Sequence, residues 1–250
     1  MTRTTRWIAT VTLAATLTAC GGGGDDSGQD TAWASGAWAG ATTSGRDATA
    51  LVLADGSYAL LYSAENDPAT LGGAVQGTGT FDGSTFTSTS ALDFNVGGTP
   101  PVSPVPATFS AKAGLTRLTL DGTVTPTTGA AMDFRLRHDA GFNGTPSLAT
   151  LAGVYTGNAA FALGIRPATF TVTAAGDVSS SINACAITGK ATPREDGNVY
   201  DLTIQFGPLP CALPGASFTG MAYLKEATGA LQAVAQHAAT GQTVIFAGSR

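Results

Sequence analysis

Histidine occurs twice in 250 residues, cysteine three times, and charged side chains make up only 12% of the chain. Each scarcity removes a class of function. Two histidines, 99 residues apart, leave no multi-histidine metal centre and few arrangements for general-base catalysis. No Gly-x-Ser-x-Gly elbow, His-Glu-x-x-His pair, phosphate-binding loop or dinucleotide-type glycine pattern is present. The sequence therefore points to no catalytic residue, no metal and no cofactor. Twelve Lys and Arg against 17 Asp and Glu, with no basic run, exclude a nucleic-acid partner. Beyond the first twenty residues no apolar stretch is long enough to span a bilayer. No segment carries a sustained helical period either, which excludes a helical bundle.

What is there begins with an address. Met1 to Arg6 carries two arginines and no acid, and Trp7 to Ala19 is apolar and threonine-rich. A charged start followed by a short apolar run is a secretory signal, too short to span as a stable helix. The run ends in Leu17-Thr18-Ala19-Cys20, which resembles the lipobox of bacterial lipoproteins. The resemblance implies lipidation of Cys20, removal of residues 1–19 and acylation of the new amine. Gly21, where inner-membrane lipoproteins carry Asp, implies an outer-membrane destination. Loss of Arg3 and Arg6 leaves ten basic against 17 acidic residues, a net charge of −7. Residues 20–32, Cys20 followed by a stretch of mostly Gly and Asp, bury nothing and read as a flexible tether with a reach of about 20 Å.

The rest reads as strands written twice. Gly36–Gly40 (GAWAG) matches Gly153–Gly157 (GVYTG), and Ala48–Gly56 (ATALVLADG) matches Ala168–Gly176 (ATFTVTAAG). Thr128–Ala130 matches Thr228–Ala230, with His138 and His237 following at similar distances. We read two homologous units, 33–140 and 152–250, joined by a linker at 141–151, each with its own core. Tyr200, Leu202, Ile204 and Phe206 alternate with polar residues, as do Met132, Phe134 and Leu136. Asp55-Gly56, Asp82-Gly83, Asp121-Gly122, Ala175-Gly176, Asp196-Gly197 and Thr240-Gly241 are turn signals. The expected fold class is all-β, two tandem antiparallel meanders forming small barrels or sandwiches. Pro100 to Pro106 reads as a loop.

Cys185 and Cys211 remain after Cys20 goes to lipid, in a compartment that permits disulfides, and we expect them bridged. Such a bridge stabilises by about 3 kcal/mol on the chain-entropy account. Gly36-Ala-Trp38 at the head of a small antiparallel unit resembles the lipocalin and avidin motif. The lipidated cysteine, glycine tether and repeated β-units also resemble the barrel lobes of transferrin-binding surface lipoproteins. These resemblances imply a non-enzymatic lipoprotein on the outer membrane, a binding or envelope-structural module whose partner is a protein. The alternative they imply is a carrier of a small apolar ligand. The first unit collects Trp38, Tyr58, Tyr62, Phe86, Leu92 and Phe94 on its apolar phase and should be filled. The second is richer in alanine and is the better candidate for a cavity, with His237 at its mouth as the ligand-binding candidate. Arg194-Glu195-Asp196 reads as a solvated hairpin tip.

Overall fold

The computed structural model describes residues 35–83, 85–98 and 102–250. The signal segment, Cys20 and the tether lie outside the described residues. The chain is all-β. β1 (Gly36–Thr42), β2 (Asp47–Val52), β3 (Ser57–Ala64), β4 (Asp67–Thr78), β5 (Thr80–Asp82), β6 (Thr85–Asn95), β7 (Val105–Ala113), β8 (Thr119–Pro126) and β9 (Met132–Asp139) make an antiparallel sheet in the order β4-β3-β2-β1-β9-β8-β7-β6-β5. β4 also pairs with β6, from Gly73 opposite Asn95 to Gln76 opposite Leu92, and this closes eight strands into a barrel. The short β5 pairs with β6 alone. After a helical turn, α1 (Leu148–Leu151), a second closed barrel runs through β10 (Gly153–Phe161), β11 (Gly164–Val172), β12 (Asp177–Ile182), β13 (Cys185–Pro193), β14 (Val199–Phe206), β15 (Ser217–Lys225), β16 (Ala230–Gln236) and β17 (Thr243–Ser249).

Alternation builds most of this. In β14 the residues Tyr200, Leu202, Ile204 and Phe206 are buried inside the barrel, while Asp201, Thr203 and Gln205 face water. β9 repeats the pattern with Phe134 and Leu136 inside and Arg135 and Arg137 outside. GAWAG and GVYTG open the two barrels as β1 and β10, and place Trp38 and Tyr155 almost wholly buried in their respective interiors.

Several expectations need correction. The match of Thr128–Ala130 to Thr228–Ala230 is not structural. The first leads into β9, the closing strand of its barrel, and the second into β16, the penultimate strand of the other. His138 and His237 are therefore not equivalent positions. Asp121-Gly122 is not a turn but the middle of β8. A Cβ at Gly122 would stand 2.4 Å from both the Phe134 ring and the Ser110 carbonyl, so glycine is required there by close approach. Pro106 lies in β7 opposite Leu92, one residue inside the strand's start, so the loop ends before Val105.

The largest correction concerns the core. Each barrel has its own interior, but a third apolar cluster lies between them. It gathers outward-facing Ala37, Leu51, Ala59, Leu61, Ala74 and Phe94 of the first barrel against Ala160, Met221, Tyr223, Val234 and Ile245 of the second. β3 is buried on both faces for this reason. The linker joins the same core through Phe142, which is held by the Asn198 amide donating to its carbonyl at 2.8 Å. Burying a Leu or Phe contributes about 1.5–3 kcal/mol. Polar ties across the seam include the Gln76 amide donating to Thr243 Oγ1 at 3.2 Å and the Val102 amide donating to the Ala162 carbonyl at 2.8 Å. The barrels lie side by side, with the β1 start and the chain's end on the same side. Asp139 meets Lys225 (3.5 Å) and Asp55 meets Arg194 (3.1 Å) on that side.

Candidate functional site

The interior of the second barrel holds a cavity of about 50 Å³ lined by apolar side chains alone. Phe161, Phe170 and Phe246 supply its large walls, and Ala159, Ala191, Ala222, Ala233 and Ala235 leave the room. α1 covers one end. Leu151 faces the cavity, the Tyr155 hydroxyl donates to the Leu151 carbonyl at 2.7 Å, and Tyr200 exchanges hydrogen bonds with Ser147 at 3.0 Å. Arg250 adds a bond from its guanidinium to the Thr150 carbonyl at 2.6 Å.

At the other end, residues 207–216 between β14 and β15 carry Cys211, bridged to Cys185 at the start of β13 with the sulfurs 2.07 Å apart. The bridge fastens that long connection to the barrel rim, and Leu213 and Ala216 pack against the interior core. Cys185 and Cys211 are thus paired as expected.

His237 stands just beyond β16 on this end and does not line the cavity. Its amide donates to the Gln242 carbonyl at 2.8 Å, its Nδ1 lies 3.0 Å from Thr240 Oγ1, and its ring meets Phe218 edge-on with centroids 5.6 Å apart. The histidine closes the β16–β17 turn. The apolar phase that pointed to the cavity mouth stops at Gln236, where the strand ends. His138 packs edge-on against Trp38 at 5.2 Å, and its amide donates to the Leu118 carbonyl.

The first barrel is filled by rings. Tyr58, Phe86, Phe109 and Phe134 form a continuous chain of contacts with centroids 4.5–6.0 Å apart. Alternation fails in β6. A bulge between Ser88 and Ala91 shifts the register of β6, so Phe86 and Ser88 point inward but Phe94 points out into the shared core, and Leu92 follows it off the interior phase. The same shift turns Asp93 inward, which the sequence pattern did not reveal. The Tyr62 hydroxyl donates to Asp93 Oδ1 at 2.7 Å, and the Arg46 guanidinium lies over the Tyr62 ring at 5.5 Å. Burial pushes the Asp93 carboxyl above its ordinary value, against the pull of Tyr62 and Arg46. Burial and the adjacent Asp93 push the Tyr62 hydroxyl well up. A phenol held protonated beside a buried carboxyl, with Arg46 committed to the Ser63 carbonyl at 2.9 Å, forms a hydrogen bond within the barrel wall.

Arg194 is not a solvated tip. It reaches Asp196 and Asp201 at 2.8 Å and Asp55 of the other barrel at 3.1 Å. Asp196 in turn accepts from the Ala54 amide at 3.3 Å. Arg194 therefore clasps the two barrels. The Arg194 hydrogen bond holds the Asp196 carboxyl below its ordinary value, against partial burial. Among the described residues, no three His, Cys, Asp or Glu side chains converge as a metal site, and no helix is long and apolar enough to cross a membrane. No family model matches the chain, and neither a curated protein nor a solved structure matches it.

Proposed function

We propose that the chain is a lipid-anchored outer-membrane protein that works as a non-enzymatic binding or envelope-structural module. Its N-terminal segment carries the lipobox-like Leu17–Cys20, and its working surface is the exterior of two fused barrels. The observation that carries the reading is the size of the apolar cavity inside the second barrel. A cavity of about 150 Å³ is what holds a benzene-sized guest, and this one measures about 50 Å³. With the first barrel filled by rings, recognition falls to outer surfaces and loops, where a macromolecular partner binds. The test is fractionation with labelled fatty acid: the wild-type chain should take up label and partition with outer membranes, and Cys20→Ser should do neither. A wild type that takes up no label would refute the anchor.

The carrier of a small apolar ligand is the second reading, favoured by the wholly apolar lining of that cavity. It requires the barrel to widen by displacing residues 207–216, which the Cys185–Cys211 bridge fastens to the rim. Reduction of the bridge should then raise uptake of an apolar dye.

A further inference from the structure

The chain is acidic, yet its cations are unevenly placed. Lys112, Arg117, Arg135 and Arg137 fall within 26 residues of one another, on β7, β9 and the β7–β8 turn. The acids beside Lys112, Arg135 and Arg137 are Asp121, Asp133 and Asp139, and each is engaged, Asp139 with Lys225 at 3.5 Å. Asp121 pairs with Arg135 at 2.9 Å, and Asp133 accepts from Thr123 at 2.6 Å. Lys112 and Arg137 lie exposed on the outer face of their strands.

The same end of the barrel carries the two most conspicuous leucines on this lobe. Leu115 is fully exposed (107%) and Leu118 largely so (60%). They sit on a built turn rather than a loose one. The Gly114 amide donates to the Thr119 carbonyl at 2.9 Å, the Arg117 amide donates to the Gly114 carbonyl at 2.8 Å, and the Leu118 carbonyl accepts from His138. Apolar tips held out to solvent, with the exposed Lys112 and Arg137 on the flanking strands, match an interface in which tails lie beneath anionic headgroups.

Topology supplies the independent argument. β9 lies between β1 and β8, with Ala37 opposite Asp139 and Thr119 opposite Arg137. The β7–β8 turn is therefore at the end of the barrel where β1 begins and where the described chain starts at Ser35. Fourteen residues lie between Cys20 and Ser35, so an acyl group on Cys20, on a tether of about 20 Å reach, brings this end nearer the bilayer than the opposite one. The other strongly exposed leucine, Leu209, sits between β14 and β15 on the far side of the paired barrels.

We infer that the β7–β8 turn is a membrane-docking element: Leu115 and Leu118 enter an anionic phospholipid surface while Lys112 and Arg137 hold its headgroups. Its orienting role rests on the lipid-anchored reading, but the contact itself does not require the acyl group. Paired with the acyl chains it orients the molecule, with residues 207–216 and Leu209 presented away from the lipid.

The chain from Gly21 onward contains all 17 strands and lacks both the apolar leader and Cys20. Co-sedimentation of this chain with vesicles of phosphatidylethanolamine and phosphatidylglycerol tests the contact without the anchor. The parent should bind, and binding should weaken with salt. Leu115→Ser with Leu118→Ser should reduce partitioning at least tenfold, and Leu115→Ser alone, at a side chain that packs on nothing, should reduce it severalfold. Lys112→Glu with Arg137→Glu should abolish the preference for phosphatidylglycerol over phosphatidylcholine vesicles. Leu209→Ser should bind like the parent. A parent that stays in solution, or leucine variants that bind as well as it does, would overturn the inference, as would a dependence on Leu115 seen only with a protein partner. The mass of the wild type from its own membranes reports acylation of Cys20 separately, so failure of the anchor and failure of the turn give different results.

Discussion

Two barrels of eight paired strands have opposite interiors, and the difference lies in side-chain volume alone. The first stacks Tyr58, Phe86, Phe109 and Phe134 through its centre and seats Trp38 at the end where β1 begins. The second lines the same space with four phenylalanines, aliphatic residues and five alanines and is left with a void of about 50 Å³. An eight-stranded barrel is just wide enough for its side chains to fill or for one small guest. Strand number therefore does not decide between a solid lobe and a hollow one; the residues at the inward positions do.

The largest expected effect is on the packed side of that comparison. Phe109→Ala removes the ring that touches Tyr58, Phe86 and Phe134, and should cost about 3–5 kcal/mol in urea unfolding. Phe170→Ala borders an existing void, has fewer contacts to lose, and should fall at or below the low end of that range. Equal losses would mean that the second interior is as tightly packed as the first.

Next is the seam. Leu61→Ala, in the shared core, should cost about 2–4 kcal/mol and lower the stability of both barrels together, read by tryptophan fluorescence for the first lobe and by protection of Cys185–Cys211 from reductant for the second. Loss confined to the first lobe would show that the third core does not couple them.

Filling mutations should have opposite signs. Ala233→Val points into the cavity and should be neutral or stabilise by up to about 1 kcal/mol. Ala50→Val, fully buried among the rings of the first barrel, should cost about 1–3 kcal/mol by overpacking.

The smallest effects are in acid. Asp93 has a raised carboxyl value in the folded chain, so its contribution worsens as pH rises above its ordinary value of 3.8 and through the raised one. Asp196 has a lowered value, so its contribution is present above 3.8 and is lost as pH falls through the lowered one. Asp93→Asn should flatten the mildly acidic part of the stability profile, and Arg194→Met the part below pH 3.8. The Arg194 effect should stay near 1 kcal/mol or less, because its partners Asp55 and Asp201 are half exposed. A common slope change in both variants would contradict the assignment.

How much of this was legible follows from the kind of interaction. Strict alternation over residues 200–206 reports the inward face directly, since a period of two has one physical source. The Cys185–Cys211 pair was legible because the lipobox reading set Cys20 aside and left two cysteines. The bulge at Ser88–Ala91 was not, because an inserted residue changes the phase without changing composition, and Phe94 and Asp93 exchange faces. Closure through β4 and β6 depends on pairing across β5 and leaves no local trace. The shared core did leave one: Ala59, Leu60 and Leu61 are apolar on consecutive positions of β3, where a barrel facing water on its outside would alternate. Gly122 looked like a turn because Asp-Gly is a turn signal; the Phe134 ring against it is a tertiary fact.

The mass of the intact protein, taken from its own envelope and weighed under native conditions, tests the anchor and the filled barrels most directly. The expected species begins at Cys20, carries acyl chains there, has Cys185 and Cys211 oxidised, and holds no other small molecule. A chain without acyl groups would contradict the anchor, and an apolar molecule retained until the disulfide is reduced would contradict the filled-barrel reading and establish the carrier in its place.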